Sequence, residues 1–216
     1  EDANGNHDHD CMRGVGRVSV VDGCAGAGPT NKPIRFLVGF VAGGTNDIVP
    51  RALAQKLTES LGQTVVVDNR GGGGGSIAAE IAAHAAPDGY TLIMVSASSV
   101  IHPLMYQARY DVVRDFAPVS QVTSQPYIIV VHPALPVKSV AELIAYGKAN
   151  PDKLNYASAG NGSLIHLTGE LFKSITGIPM AHIPYKGIGA AYPDLIGGQI
   201  QLTFASIISG LPQVRA

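Results

Sequence analysis

The sequence predicts an α/β fold made of two successive units, and three observations carry that reading. Short β-branched runs alternate with segments of helical period. The connections between them are brief and rich in Gly, Ser and Asn. The alternation breaks off after residue 99 and restarts near Tyr127. Alternation with short connections implies parallel strands joined by right-handed crossovers. Such sheets offer ligands the loops outside the carboxyl ends of their strands.

The first element is the apolar run 34–40, of the kind that forms a buried strand. Gly43 and Gly44 then allow a tight turn and a close backbone approach. From Ile48 the period changes: Val49, Leu53 and Leu57 recur every four residues, with Ile48, Ala52 and Leu61 widening the stripe into an amphipathic helix. Thr45, Asn46 or Asp47 is the expected cap, Gly62 the expected end, and Pro50 requires a start near Asn46 or Asp47. A second strand spans 64–68, followed by Asn69, Arg70 and the five glycines 71–75. Arg70 has Asp68 and Asp88 as ion-pair partners, and the glycines read either as a ligand loop or as a flexible one. A helix over 77–86, a Pro-Asp-Gly turn and a strand over 90–96 complete the unit, ending in Ser96, Ser98 and Ser99.

Residues 116–131 hold two apolar segments, APVSQV and YIIVV, and form the natural crossover between the units. In the second unit a helix over 139–149 opens with a capping-box spacing from Ser139 to Glu142. Strands follow at 154–157, 180–184 and 201–204, with helices at 164–175 and 190–196.

The totals exclude several classes. A net charge of −1 with only 14% charged residues gives no support to nucleic-acid binding. No apolar run approaches the length of a membrane span. The only cysteines, Cys11 and Cys24, lie in an atypical polar leader, residues 1–31, read as non-structural and without a convincing export signal. The five histidines beyond it (His84, His102, His132, His166 and His182) lack metal-ligand spacing, so no metal or other cofactor is expected. The glycine turns lack a P-loop lysine and the third glycine of the dinucleotide fingerprint.

Two loops point to an anion. In the first, Gly43, Gly44, Thr45 and Asp47 join a strand to a helix N-terminus. In the second, Ser158, Gly160, Asn161, Gly162 and Ser163 repeat the arrangement, with His166 one turn into the helix. Asp47 can equally be a plain cap, Ser163 a plain N-cap and His166 a surface residue. An alternative reading is a hydrolase using Ser158 or Ser163 with His166. However, Ser158 lacks the preceding glycine of a nucleophile elbow, and no acid is assignable to orient His166.

Six segments together carry a resemblance: FVAGGTNDIVPRALAQKL, VVVDNRGGGGGSIAAE, APDGYTLIM, DFAPVSQV, LNYASAGNGSLIHLTGELFKSITGI and HIPYKGIGAAYPDLIGGQI. They resemble the solute-binding proteins of tripartite tricarboxylate transporters, the Bordetella uptake (Bug) family, over about residues 32–212. The resemblance implies a periplasmic-binding-protein-like, type II fold with a ligand cleft between two domains, here 32–122 and 123–216. It implies a periplasmic, monomeric receptor, not an enzyme, that delivers a small di- or tricarboxylate to a membrane transporter. Gly43, Gly44, Thr45 and Asp47 would line one side of the cleft, and residues 158–163 with His166 the other. Ser96, Ser98, Tyr185 and Lys186 would form its walls, and hinge residues are expected near 120–127. Two departures from the family pattern stand out. Ala205 and Ser206 occupy the place where many members carry an Asp, which favours a simple carboxylic acid over an amino acid. The family also continues beyond Ala216, so the chain reads as a C-terminally truncated member whose return segment to the first domain is missing.

Overall fold

The computed structural model describes residues 32–215, so the leader with Cys11 and Cys24 lies outside the described residues. β1 (Ile34–Val38) leads through a glycine turn into α1 (Thr45–Leu61), and then comes β2 (Val65–Asn69). A single 3-10 turn at Gly73–Gly75 precedes α2 (Ser76–Ala83). Beyond it lie β3 (Thr91–Met94) and α3 (Ala97–Met105). The three strands form a fully parallel sheet in the order β2-β1-β3. β1 is central and its buried run explains why: Leu37 and Val38 are completely shielded, flanked by strands and covered by helices. The register aligns the strand ends. Val38 sits beside Asn69 on one side and Met94 on the other, so all three strands end at one edge.

The second sheet is built from β4 (Tyr127–Val131), β5 (Asn155–Ser158), β6 (Ala181–Pro184) and β7 (Leu202–Ser206). Between these strands run α4 (Val140–Ala149), α5 (Leu164–Thr176) and α6 (Tyr192–Ile196), and α7 (Ile207–Arg215) closes the described chain. The strand order is β4-β7-β5-β6. β5 is parallel to both β6 and β7, as expected, but β4 runs antiparallel to β7. The registry gives the reason. Tyr127 pairs with Ser206, so the incoming chain meets β7 at its carboxyl end and can only run back along it.

Several sequence expectations change in detail. The segment APVSQV carries no strand ladder, and Val119 on it is exposed. Two helices lie outside the expected set, α3 and α7, each with a proline inside it (Pro103 and Pro212). The helix after β6 begins as a 3-10 turn at Ile188–Ala191. The Ser139 cap is as expected: its hydroxyl accepts the Glu142 N–H, and the Glu142 carboxylate accepts the Lys138 N–H at 2.7 Å.

Two clusters make the core. The larger surrounds the second sheet and centres on Tyr156, Leu202 and Phe204; the smaller joins Phe36, Ala54 and Val65 under the first. Gly169 of α5 lies directly on the Tyr156 ring, where a side chain would have no room.

Candidate functional site

The carboxyl ends of both sheets face each other, so loops from each come into contact there. After β1 the chain turns at Gly43 and enters α1. Gly44 takes the cap position without a side-chain bond, correcting the expectation that Thr45, Asn46 or Asp47 would cap. Asp47 instead reaches back from the first turn. One carboxyl oxygen accepts the Gly43 N–H at 3.1 Å; the other accepts from Arg51 Nε at 2.9 Å and Asn69 Nδ2 at 2.8 Å. The same Asn69 amide donates to the Phe40 carbonyl at 2.9 Å, so the end of β2 props up the first loop. Burial pushes the Asp47 carboxyl up, but its bonds to Arg51, Asn69 and Gly43 outweigh that and hold it below the usual carboxylate range.

The five-glycine run is no loose linker. Residues 72–75 all have positive φ, at 137°, 55°, 62° and 98°, a sequence of conformations that only glycine adopts readily. A Cβ added to Gly74 would lie 2.9 Å from the Asn161 carbonyl and 3.5 Å from the Ser163 nitrogen, so the first-sheet glycines touch the second-sheet loop. Arg70 pairs with Asp68 at 2.9 Å, while Asp88 pairs with Lys32.

At the end of β3, Ser96 stands at the cap position of α3 with its hydroxyl buried and unpartnered. Ser98 reaches across: its hydroxyl accepts the Leu164 N–H at the start of α5, at 3.0 Å. The second-sheet loop is held from within. Ser158 Oγ accepts the Gly160 N–H at 3.0 Å, and Nδ1 of His166 accepts the Gly162 N–H at 3.2 Å. Ser163 Oγ caps α5 by accepting the His166 N–H, and Asn161 is exposed.

The remaining expected wall residues behave differently. The Tyr185 hydroxyl is bound to the Asp194 carboxylate, and the Lys186 side chain is exposed. Lys186 meets the first loop through its backbone, its carbonyl accepting the Val41 N–H at 3.3 Å. Gly189, just beyond, packs against Ala42 and Gly43 too closely to admit a side chain. Thr45 closes the site on the other flank, hydrogen-bonded to Ser206 at the end of β7. A buried hydroxyl chain continues from Ser206 through Ser209 to Tyr192.

The structure thus gathers Gly43, Gly44, Thr45, Asp47, Ser98, Gly160, Gly162 and Ser163 at one seam. Sequence reasoning assigned no role there to Asn69 or His182, and read Ser206 only as standing in place of an acid. It also paired the wrong imidazole with Ser158: His182 Nε2, not His166, lies 2.6 Å from Ser158 Oγ, and Ser158 is completely buried. Ser163 is spent as a cap. Among the described residues, no group of three or more His, Cys, Asp or Glu could hold a metal ion, and no helix is long and apolar enough to cross a membrane.

Residues 49–216 match the family described as the tripartite tricarboxylate transporter family receptor. Protein BugT of Bordetella pertussis is 40% identical over 188 residues, covering 86% of this chain and 58% of BugT. Among solved structures, an R. palustris protein with adipate is 37% identical at a TM-score of 0.81, covering 85% of this chain and 62% of that one. MatC from Rhodopseudomonas palustris with bound malate is 31% identical at a TM-score of 0.79, covering 85% and 63%. The periplasmic binding protein BugD is 36% identical at a TM-score of 0.81, covering 85% and 62%. The family is described as one of receptors, and BugD as a periplasmic binding protein. The chain spans less than two thirds of the length of the relatives it matches.

Proposed function

The chain belongs to the tripartite tricarboxylate transporter receptor family, and on that premise we propose that it captures a small di- or tricarboxylate at the seam between its two sheets. The observation that carries this reading is the meeting of helix N-termini from both sheets. Ser98 at the start of α3 touches Leu164 at the start of α5, and Gly74, leading into α2, lies against Ser163. First-turn N–H groups and the helix dipole favour a carboxylate, and no free lysine or arginine side chain is needed to hold it. Adipate and malate in the neighbours support that ligand class. Ser206, uncharged and already bonded to Thr45, favours a plain acid over one bearing an amine.

Residues 32–122 and 123–216 would act as two domains that close over the acid about a hinge near 120–127. The receptor would work as a monomer in the periplasm and deliver its ligand to the membrane subunits of a tripartite transporter. A thermal melt against adipate, malate, citrate, glutamate and aspartate tests the reading. A ligand at about 100 times its dissociation constant adds about 2.7 kcal/mol, a rise of about 5–10 °C in a chain of this size. A rise with one or more plain carboxylates is expected. A rise with the amino acids alone, or with none of the five, would overturn it.

A further inference from the structure

Two imidazole rings lie beneath the turn at residues 160–162. Nδ1 of His166 accepts the Gly162 N–H at 3.2 Å, so in this arrangement that nitrogen carries no proton. His182 acts one atom further away: its Nε2 is 2.6 Å from Ser158 Oγ, which accepts the Gly160 N–H at 3.0 Å. Gly160 and Gly162 have φ of 113° and 74°, so the turn depends on glycine and on these two bonds. The two rings stack face to face with centroids 4.2 Å apart, and the other face of His182 stacks on Tyr156 at 5.0 Å.

We propose that His166 and His182 are positioning residues that hold this turn in its ligand-ready shape only while both rings are neutral, so that acid favours release. Protonating His166 puts a proton on Nδ1, where it faces the Gly162 N–H: donor meets donor, and the turn must give way. One carboxylate faces the rings. Glu170, one turn beyond His166 on α5, lies within electrostatic reach of both and is also bound by Lys173 at 2.9 Å and by the Tyr156 hydroxyl of β5 at 2.7 Å. From α3, the Tyr106 ring lies against Gly162 and brings no charge. Burial first, and the neighbouring His166 second, push His182 down to about 4. The ligand arm of this inference rests on the carboxylate reading; the backbone arm does not.

Amide and ring NMR signals of the ligand-free chain, tracked from pH 8 to 5, test the backbone arm. The Gly162 amide is expected to move together with the His166 ring, while the His182 ring stays flat. The variant His166→Asn places an amide oxygen close to where Nδ1 sits and is expected to keep the turn while flattening the Gly162 response. His182→Gln, which can still bond Ser158, should preserve the Gly160 amide signal, whereas His182→Ala should shift it. In the ligand arm, adipate serves as the probe. Its affinity is expected to fall about tenfold from pH 7.5 to 5.5 in the natural chain, the loss of about one hydrogen bond, and to stay level in His166→Asn. A Gly162 amide indifferent to the His166 titration, or an unchanged pH dependence in His166→Asn, would overturn the proposal. Failure of adipate to bind at any pH would count against the carboxylate reading and leave the NMR result to decide this one.

Discussion

Ser98 Oγ accepts a 3.0 Å hydrogen bond from the Leu164 N–H, tying the start of α3 beside the first sheet to the start of α5 beside the second. Ser98 is only 4% exposed and Leu164 is half-buried. A first-turn amide has no partner inside its own helix, so this hydroxyl supplies one from the other sheet. Replacing Ser98 with Ala leaves the amide without an acceptor. The expected cost is about 1 kcal/mol, read as a fall of about 2–4 °C in Tm. A melt unchanged in Ser98→Ala would mean that solvent serves the amide as well as Ser98 does.

Asp47 makes a stronger claim on stability. Asp47 is 3% exposed, and its carboxylate satisfies Gly43, Arg51 and Asn69 at once. Asp47→Ala is expected to cost about 2–3 kcal/mol, because it removes the acceptor shared by Gly43, Arg51 and Asn69. The sign of the shift sets the pH dependence. The folded chain holds this carboxyl below its ordinary value of 3.8, so its contribution is complete above that value and drains away as pH falls beneath it. Urea unfolding between pH 5 and 2.5 should show a shallower acid limb in Asp47→Ala than in the natural chain, and superimposable limbs would refute the assignment.

Gly169→Ala tests the packing of α5 on the second sheet. The added methyl group would run into the fully buried Tyr156 ring, which is itself fixed by Glu170 and by its stack on His182. Helix propensity alone predicts a gain from this substitution, so the sign separates the two effects. Overpacking should win, at a net cost of about 1–3 kcal/mol. Stabilisation would show that the ring can move aside freely.

The parts of this site that could be read from the chain are those whose signals are local. β1, its glycine turn and α1 announce themselves by a change from an apolar run to a four-residue repeat across Gly43 and Gly44. Ser139 and Ser163 sit at cap positions that the sequence marks directly. α3 and α7 escaped because Pro103 and Pro212 interrupt them, and because the serines that open α3 look like the end of a loop. The reversed direction of β4 depends on where the chain enters the sheet, which no window around Tyr127 encodes. Asn69 and His182 are harder still. Each acts through a partner more than 20 residues distant, Asp47 and Ser158 respectively, so neither carries a local mark.

His182 also leaves a thermodynamic trace. An imidazole held down to about 4, against an ordinary value of 6.5, stays neutral in the folded chain while the unfolded chain takes up a proton. With more protons bound to the unfolded state, stability falls as pH drops through that interval and levels off below it. The full shift corresponds to about 3 kcal/mol, and partial solvent access to the ring reduces the expected effect to about 1–2 kcal/mol. This window lies above the one set by Asp47, so the two groups can be told apart in a single pH series. His182→Gln cannot take the proton. Its stability relative to the natural chain should therefore rise by about 1–2 kcal/mol between pH 7 and 4.5, measured by urea unfolding at each pH. Parallel stability curves would mean that the folded chain accepts the proton, and that His182 is not the fixed neutral ring beneath the loop.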